Sequence, residues 1–420
     1  MTIKRRAFLQ TGAAALVSAP LLSGADKGQS IVVIGGGFGG ATVAKYLKRF
    51  NPALRVTLIE PNADFVMCPM SNRVVYGGIT LKAISTPYDR FVTKHDIKWI
   101  RAMADDIDPE KKVVRVGNER VAYDRLIVSP GVEYDYQGIA GMESARAQEL
   151  VPHAWKAGAQ TQRLKELLYA MPQGGTIAMH IPKVPYRCPP GPYERASLIA
   201  YYLQARNPKA KLLVFDSNPE IQSKKGLFEA VWKNKYAGLL EYVPNAEVES
   251  VDAANMTLEL KVHGKQKLNV INLIPPQKAG AIARRAGLAT VGNRWCGVDF
   301  LTYESTRHQG IHVLGDSIAG SPGMPKSGHM ANQEAKVCAG AIAALSVGQP
   351  VPTEPLIANT CYSFVSQSEV IHVASVHRYD AEKKAMVTVP GAGGLSPAPS
   401  QVEALYAMAW AANIMNDTLG

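Results

Sequence analysis

Ile31-Val32-Val33-Ile34-Gly35-Gly36-Gly37-Phe38-Gly39-Gly40 is the stretch on which the fold turns. Four β-favouring apolar residues run into a G-x-G-x-x-G turn at Gly35, Gly37 and Gly40, and a helical pattern follows from Ala41 to Phe50. A second apolar run, Val56-Thr57-Leu58-Ile59, ends in Glu60, about 20 residues past the glycines. Strand, turn, helix, strand and acid in this order predict a dinucleotide-binding βαβ unit. The first glycine makes the tight turn, the second lets backbone N–H groups approach a pyrophosphate, and the third lets helix and strand pack closely. Phe38 and Gly39 lie within the same turn. The helix N-terminus presents partial positive charge to the phosphates, and Glu60 can accept bonds from ribose hydroxyls.

Met1 to Ala25 reads as an export leader. Lys4-Arg5-Arg6-Ala7-Phe8-Leu9 resembles the twin-arginine consensus, a short apolar run spans Ala13 to Leu22, and Ser23-Gly24-Ala25 offers a cleavage site. The apolar run is too short to span a bilayer, so no transmembrane segment is expected in the mature chain. The expected compartment is the periplasm, where disulfides persist. Of 420 residues about 395 then remain, enough for two or three domains with full cores. The formal charge of +11 falls to +8 without Lys4, Arg5 and Arg6. That charge is spread through the sequence, which speaks against nucleic acid and for an acidic protein partner or simple solubility. Five cysteines, Cys68, Cys188, Cys296, Cys338 and Cys361, include no C-x-x-C and no C-x-x-C-H. A thioredoxin motif, a zinc knuckle and a c-type haem on this chain are therefore not expected. Their pairing is not readable from sequence.

The expected class is α/β: two Rossmann-like domains and a C-terminal α+β interface module. The division runs 26–150 (cofactor domain, first part), 151–285 (second Rossmann-like domain), 286–350 (return to the first) and 351–420 (C-terminal module). Pro61 to Pro87 reads as loop-rich, Lys112 to Tyr123 as a hairpin turning at Gly117-Asn118, and Leu126-Ile127-Val128 as a strand ending in Ser129-Pro130-Gly131. Gly131 joins the candidate cofactor contacts. A Gly/Pro-rich loop is expected from Gly391 to Ser400. The last helix, Gln401 to Met415, lacks Lys and Arg, so it should pack on the protein or a partner rather than lie on a membrane. In the second domain the strand Thr176–His180 leads into Ile181-Pro182-Lys183-Val184-Pro185-Tyr186-Arg187-Cys188-Pro189-Pro190. Prolines remove N–H donors, so this turn is not a pyridine-nucleotide cradle.

The strand that ends in Gly315-Asp316, with the N-terminal glycines, resembles the two-dinucleotide-domain flavoproteins related to glutathione reductase. Within them the chain is most similar to the flavoprotein subunit of flavocytochrome c sulfide dehydrogenase. The carrying segments are Phe65–Asn72, Val184–Glu194 with its Cys188-Pro-Pro-Gly-Pro-Tyr-Glu, Trp295–Asp299, Pro325-Lys326-Ser327, Asn359-Thr360-Cys361-Tyr362-Ser363 and Trp410. They run through essentially the whole mature chain.

The resemblance implies FAD, with Asp316 on its ribityl chain and Cys68 joined to its 8α-methyl carbon. It implies that Cys188 and Cys361 form a redox-active disulfide above the flavin, with Glu194 managing a proton. It adds Gly315, Lys326 and Trp410 to the cofactor pocket, although a core tryptophan is the plainer reading of Trp410. It implies that hydrosulfide attacks the disulfide, leaving a persulfide and a thiolate, and that electrons pass through FAD to the haem of a c-type cytochrome subunit. The residues alone leave alternatives open: a structural disulfide or separate buried thiols for Cys188 and Cys361, a free buried cysteine at Cys68, and a plain helix-terminal acid at Glu194. No metal ligands are expected, and Cys296 and Cys338 read as structural.

Overall fold

A computed structural model describes residues 28–420. The export leader expected at Met1 to Ala25 lies outside the described residues. Apolar strands feeding helices build two parallel sheets, the expected α/β class. The first has the order Ile311–Val313, Arg125–Val128, Ser30–Ile34, Arg55–Ile59, Lys98–Ile100, every pair parallel. Its central strand is buried on both faces, as unbroken runs such as Ile31-Val32-Val33-Ile34 require. The chain leaves that strand toward Arg55–Ile59 and later crosses to its other side at Arg125–Val128. The order of connection therefore reverses between these two strands, and their carboxyl ends open into a crevice.

A second parallel sheet has the order Leu240–Val243, Lys211–Asp216, Thr176–Ile181, Val270–Leu273. It reverses between Thr176–Ile181 and Val270–Leu273. The two segments that join the sheets, Val132–Tyr134 and Gln277–Ala279, pair antiparallel with each other. That pairing holds the two carboxyl-end crevices side by side.

The C-terminal module is an antiparallel sheet, Leu356–Phe364, Val370–Asp380 and Ala385–Leu395, with the helix Gln401–Leu419. Here the structure corrects the sequence. The glycine-rich segment is strand as far as Leu395, with Gly393 opposite Ser375 and Gly394 opposite Ala374. The partner strand supplies the ladder that local propensity opposed. The stretch 61–87 likewise holds a short strand pair, Asp64–Val66 with Ser85–Pro87, and the helix Ser71–Val75. The last helix runs on to Leu419 and docks by its C-terminal end. Lys45 Nζ donates to the carbonyls of Asn416 and Asp417 at 2.9 and 3.0 Å, and Lys336 pairs with Asp417 at 2.7 Å. Val402, Leu405, Tyr406 and Met408, near its start, stay exposed. No helix among the described residues is long and apolar enough to cross a membrane.

Candidate active site

The first crevice is lined by the glycine turn. Gly35 takes φ +92°, and its N–H donates to Ile59 O at 2.9 Å. A Cβ on Gly40 would collide with the carbonyl oxygen of Gly35, so the third glycine is fixed by helix–strand packing. A Cβ on Gly37, by contrast, would meet nothing within 4 Å. Gly37 caps the helix Phe38–Phe50, which has no capping side chain and no acid in its first turn. The free N–H groups therefore face open space, the arrangement that accepts a pyrophosphate. Phe38 gives the cradle its backbone only, because its ring packs edge-on against Phe65 at 5.1 Å. Gly39 is buried at the helix start, where a Cβ would crowd Ser129 Oγ at 2.6 Å.

Glu60 ends its strand as expected and is held in place. Its Oε2 accepts from Gly36 N–H at 2.7 Å, and its Oε1 accepts from Asn62 N–H at 2.9 Å. The remaining carboxylate lone pairs are the ones available to a ribose.

Across the crevice, the Gly315 N–H donates to Glu334 Oε2 at 2.8 Å. Burial holds the Glu334 carboxyl well above the usual range, at about 7. Asp316 Oδ1 is buried without a hydrogen-bond partner, and its Oδ2 lies 3.9 Å from Arg187. An orphaned carboxylate oxygen costs free energy unless a donor meets it, and a polyol hydroxyl at this position supplies one. The residues present thus fit a flavin dinucleotide at both its phosphate and its polyol. Lys326 braces the Asp316 turn from below. Its Nζ donates to Asp316 O at 3.2 Å and to Ile318 O, and lies 3.9 Å over the Trp295 ring. Burial lowers its pKa to about 8. Gly131 closes the same region, its carbonyl accepting from Gly280 N–H at 3.1 Å and from Ser317 Oγ.

The second crevice supplies the cysteines. The proline-rich turn after Thr176–Ile181 keeps five N–H groups in 182–190 and has committed three of them. Val184 N–H donates to Asn218 Oδ1, Arg187 N–H to Gln277 Oε1 and Cys188 N–H to Lys326 O, at 3.1, 2.9 and 2.7 Å. No row of free N–H groups is left there for a second pyrophosphate. Arg187 reaches into the first crevice instead. Its guanidinium donates to Cys68 Sγ at 3.2 Å and to Trp155 O, so Cys68, Arg187 and Asp316 form one cluster.

Cys188 and Cys361, 173 positions apart in the sequence, lie near enough that charge on Cys361 acts on Cys188. Both residues are half-buried, and all five cysteines are free. Burial pushes both thiols up, and the negative charge of a Cys361 thiolate is the next cause raising Cys188. Glu194 lies beside them, 4% exposed, its Oε1 accepting from Phe364 N–H at 2.9 Å and its Oε2 from Asn72 Nδ2 at 2.8 Å. Burial raises its carboxyl to about 7 despite those two bonds and the Lys224 ammonium. This is the environment of a proton carrier near neutral pH.

Four neighbours are not singled out as site residues by the sequence: Asn72 and Arg187, which lie inside the segments that carry the resemblance, and Arg195 and Lys224. Arg195 is 1% exposed and donates to Asn72 Oδ1 at 2.9 Å, which orients the amide that holds Glu194. Trp410 reaches the site through Tyr362, the residue after Cys361. It is half-buried against His329 and Tyr362, with centroids 5.8 and 6.1 Å away, and its Nε1 is buried and unpartnered. Cys296 and Cys338 are fully buried.

Residues 161–275 match the family model of the sulfide dehydrogenase [flavocytochrome c] flavoprotein chain, central. Residues 353–419 match that of flavocytochrome c sulphide dehydrogenase, flavin-binding, and residues 29–169 that of the pyridine nucleotide-disulphide oxidoreductases. The sulfide dehydrogenase [flavocytochrome c] flavoprotein chain of Chlorobaculum thiosulfatiphilum is 59% identical over 44 residues, 10% of this chain and 92% of that sequence. The mitochondrial sulfide:quinone oxidoreductase of Mus musculus is 22% identical over 313 residues, covering 68% of this chain but only 65% of its own length. In three dimensions the sulfide:quinone oxidoreductase of Aquifex aeolicus superposes with a TM-score of 0.75 at 21% identity, over 93% of this chain and 91% of that one, which shows the shared fold. The chain belongs to the family of the flavoprotein chain of flavocytochrome c sulfide dehydrogenase.

Proposed function

We propose that the chain oxidises hydrosulfide at a disulfide formed by Cys188 and Cys361, in an FAD-loaded site, and delivers the electrons to a c-type cytochrome subunit in the periplasm. The observation that carries this reading is the meeting of Cys188, Cys361 and Glu194 beside the Cys68–Arg187–Asp316 cluster, at the carboxyl ends of both sheets. Hydrosulfide attacks one sulfur of the disulfide, leaving a persulfide on that cysteine and a thiolate on the other. Glu194 holds or releases the accompanying proton. FAD, when bound, accepts two electrons and gives them up singly. The Gly35–Gly40 turn would hold its pyrophosphate, Glu60 a ribose hydroxyl and Asp316 a ribityl hydroxyl, and Cys68 would be its point of covalent attachment. Lys326 and Gly131 hold the Asp316 side of the pocket in shape, and Trp410 packs on Tyr362 beside Cys361. Four prolines and three committed N–H groups in the turn 182–190 favour a reductant other than NADH or NADPH.

The test is Cys188→Ser and Cys361→Ser, singly and together, with flavin content and melting temperature measured on each. Each variant is expected to keep its flavin and its fold yet lose sulfide-dependent cytochrome c reduction, the double being no worse than either single. Near-normal turnover in either single variant overturns the disulfide chemistry. The likeness to the mouse protein, a sulfide:quinone oxidoreductase by name, supports a second reading with a quinone as acceptor. A short-chain quinone replacing cytochrome c in the same assay separates the two.

A further inference from the structure

Lys224 is a buried ammonium to which the proposed sulfide chemistry gives no task. It is 5% exposed and sits in the left-handed backbone region, φ +57°, at the start of the helix Lys225–Lys235. Its Nζ donates to Cys361 O at 2.9 Å, Ser363 Oγ at 2.7 Å and Ile371 O at 3.4 Å. All three acceptors are neutral, and among the described residues no carboxylate lies within ion-pair distance of it. A buried cation without a counter-ion is costly, so its field is available to whatever anion forms nearby. The group whose charge acts on it most is the Cys361 thiol, whose own backbone carbonyl it holds at 2.9 Å, followed by Glu194, Cys188 and Glu403.

We infer that Lys224 is a positioning residue that gives the disulfide its polarity: its ammonium at the Cys361 backbone makes Cys361 the leaving thiolate, so that the incoming sulfur ends on Cys188. The inference rests on the disulfide reading under Proposed function. In the step, HS⁻ donates its electron pair to Cys188 Sγ, the Cys188–Cys361 S–S bond breaks, and Cys361 departs with the bonding pair as S⁻. The new S–S bond is the Cys188 persulfide. The sulfur of hydrosulfide is oxidised and the Cys361 sulfur is reduced. The thiol that forms the more stable anion leaves faster.

The surrounding charges agree with this direction. Lys224 is the foremost group lowering Cys361, followed by the Asn359 amide at 3.5 Å. Cys188 is raised by burial and by the charge on Cys361, and is lowered by Arg187 and only then by Lys224. Glu194, from the helix Gly191–Arg206, raises both thiols. Glu403, from the last helix, acts on Lys224 but is itself occupied by His372 at 3.0 Å and Ser396.

The experiment uses the dithiol-reduced holoenzyme, alkylated with iodoacetamide across a pH series, with Cys188 and Cys361 followed separately by peptide mass mapping. Both cysteines are half-buried rather than fully buried residues. Cys361 is expected to react first, with a midpoint below that of Cys188 by about one pH unit or more. Cys188 reacting first, or both together, overturns the inference and needs no variant. Lys224→Met and Lys224→Gln should raise the Cys361 midpoint by about one unit or more and erase the order. Gln keeps a donor without the charge, so a normal order in Lys224→Gln would mean a structural role only and would also overturn it. In sulfide-treated enzyme the added sulfur should be found on Cys188; finding it on Cys361 reverses the assignment. Absence of sulfide oxidation would sink the proposed function while leaving the alkylation order readable, so the two failures are distinct.

Discussion

Gly37 and Gly40 differ by three positions and should fail in opposite ways. Gly37 has φ −67° and ψ −168°, which alanine adopts freely, and no atom lies within 4 Å of the point an alanine methyl would occupy. Replacing glycine by alanine there restricts the unfolded chain, a gain of about 0.4–1 kcal/mol. Alanine is also the poorer helix cap, a loss of a few tenths to about 1 kcal/mol. The two offset, so Gly37→Ala should leave the flavin-free protein within about 0.5 kcal/mol of the parent. The added methyl does occupy the space in front of the free N–H groups. Pushing a phosphate away from two charge-assisted hydrogen bonds costs about 3 kcal/mol, roughly a hundredfold in affinity. Gly40→Ala instead drives a methyl into the backbone oxygen of Gly35. Overpacking against rigid backbone costs about 1–3 kcal/mol or more with or without ligand. The assay is a flavin titration followed by fluorescence, in a Cys68→Ser background so that the flavin exchanges, with urea unfolding of the flavin-free forms alongside. Unchanged flavin affinity in Gly37→Ala would refute the placement of the pyrophosphate. A fully stable Gly40→Ala would refute the packing argument.

Two further outcomes are expected. In the parent the yellow colour should stay with the protein after acid precipitation, and Cys68→Ser should release it to the supernatant while the melting curve stays cooperative, Arg187 keeping its bond to Trp155 O. Free flavin from the parent would end the covalent assignment. Glu334, 3% exposed, has its folded pKa raised from 4.5 to about 7. Folding therefore takes up a proton between those values, and stability should fall as pH rises through about 4.5 to 7 and level off above. This group contributes on the order of 3 kcal/mol to that fall. Glu334→Gln keeps an acceptor for the Gly315 N–H and should flatten the slope of urea-unfolding free energy against pH; an unaltered slope would show that Glu334 does not titrate in this window.

The first βαβ unit was legible because every part of it is local. Ile31 to Glu60 carries strand, turn, helix and acid within 30 residues, and the glycines are demanded by backbone geometry that only they satisfy. The same holds for the proline-rich turn, whose missing donors can be counted directly from the sequence. Propensity misled at Gly391–Leu395, where pairing with Val370–Asp380 overrides what glycine prefers alone. The site lies beyond local rules altogether. Cys188 and Cys361 meet only because Val132–Tyr134 and Gln277–Ala279 clamp the two sheets together while the C-terminal strand Leu356–Phe364 crosses over the second crevice. Arg187 gains its neighbours Cys68 and Asp316 through the same placement. Glu194 and Lys224 look like ordinary surface charges in the sequence. Their carboxyl and ammonium are drawn toward neutrality because folding removes the water around them, and no local pattern of residues records how much water a fold will leave.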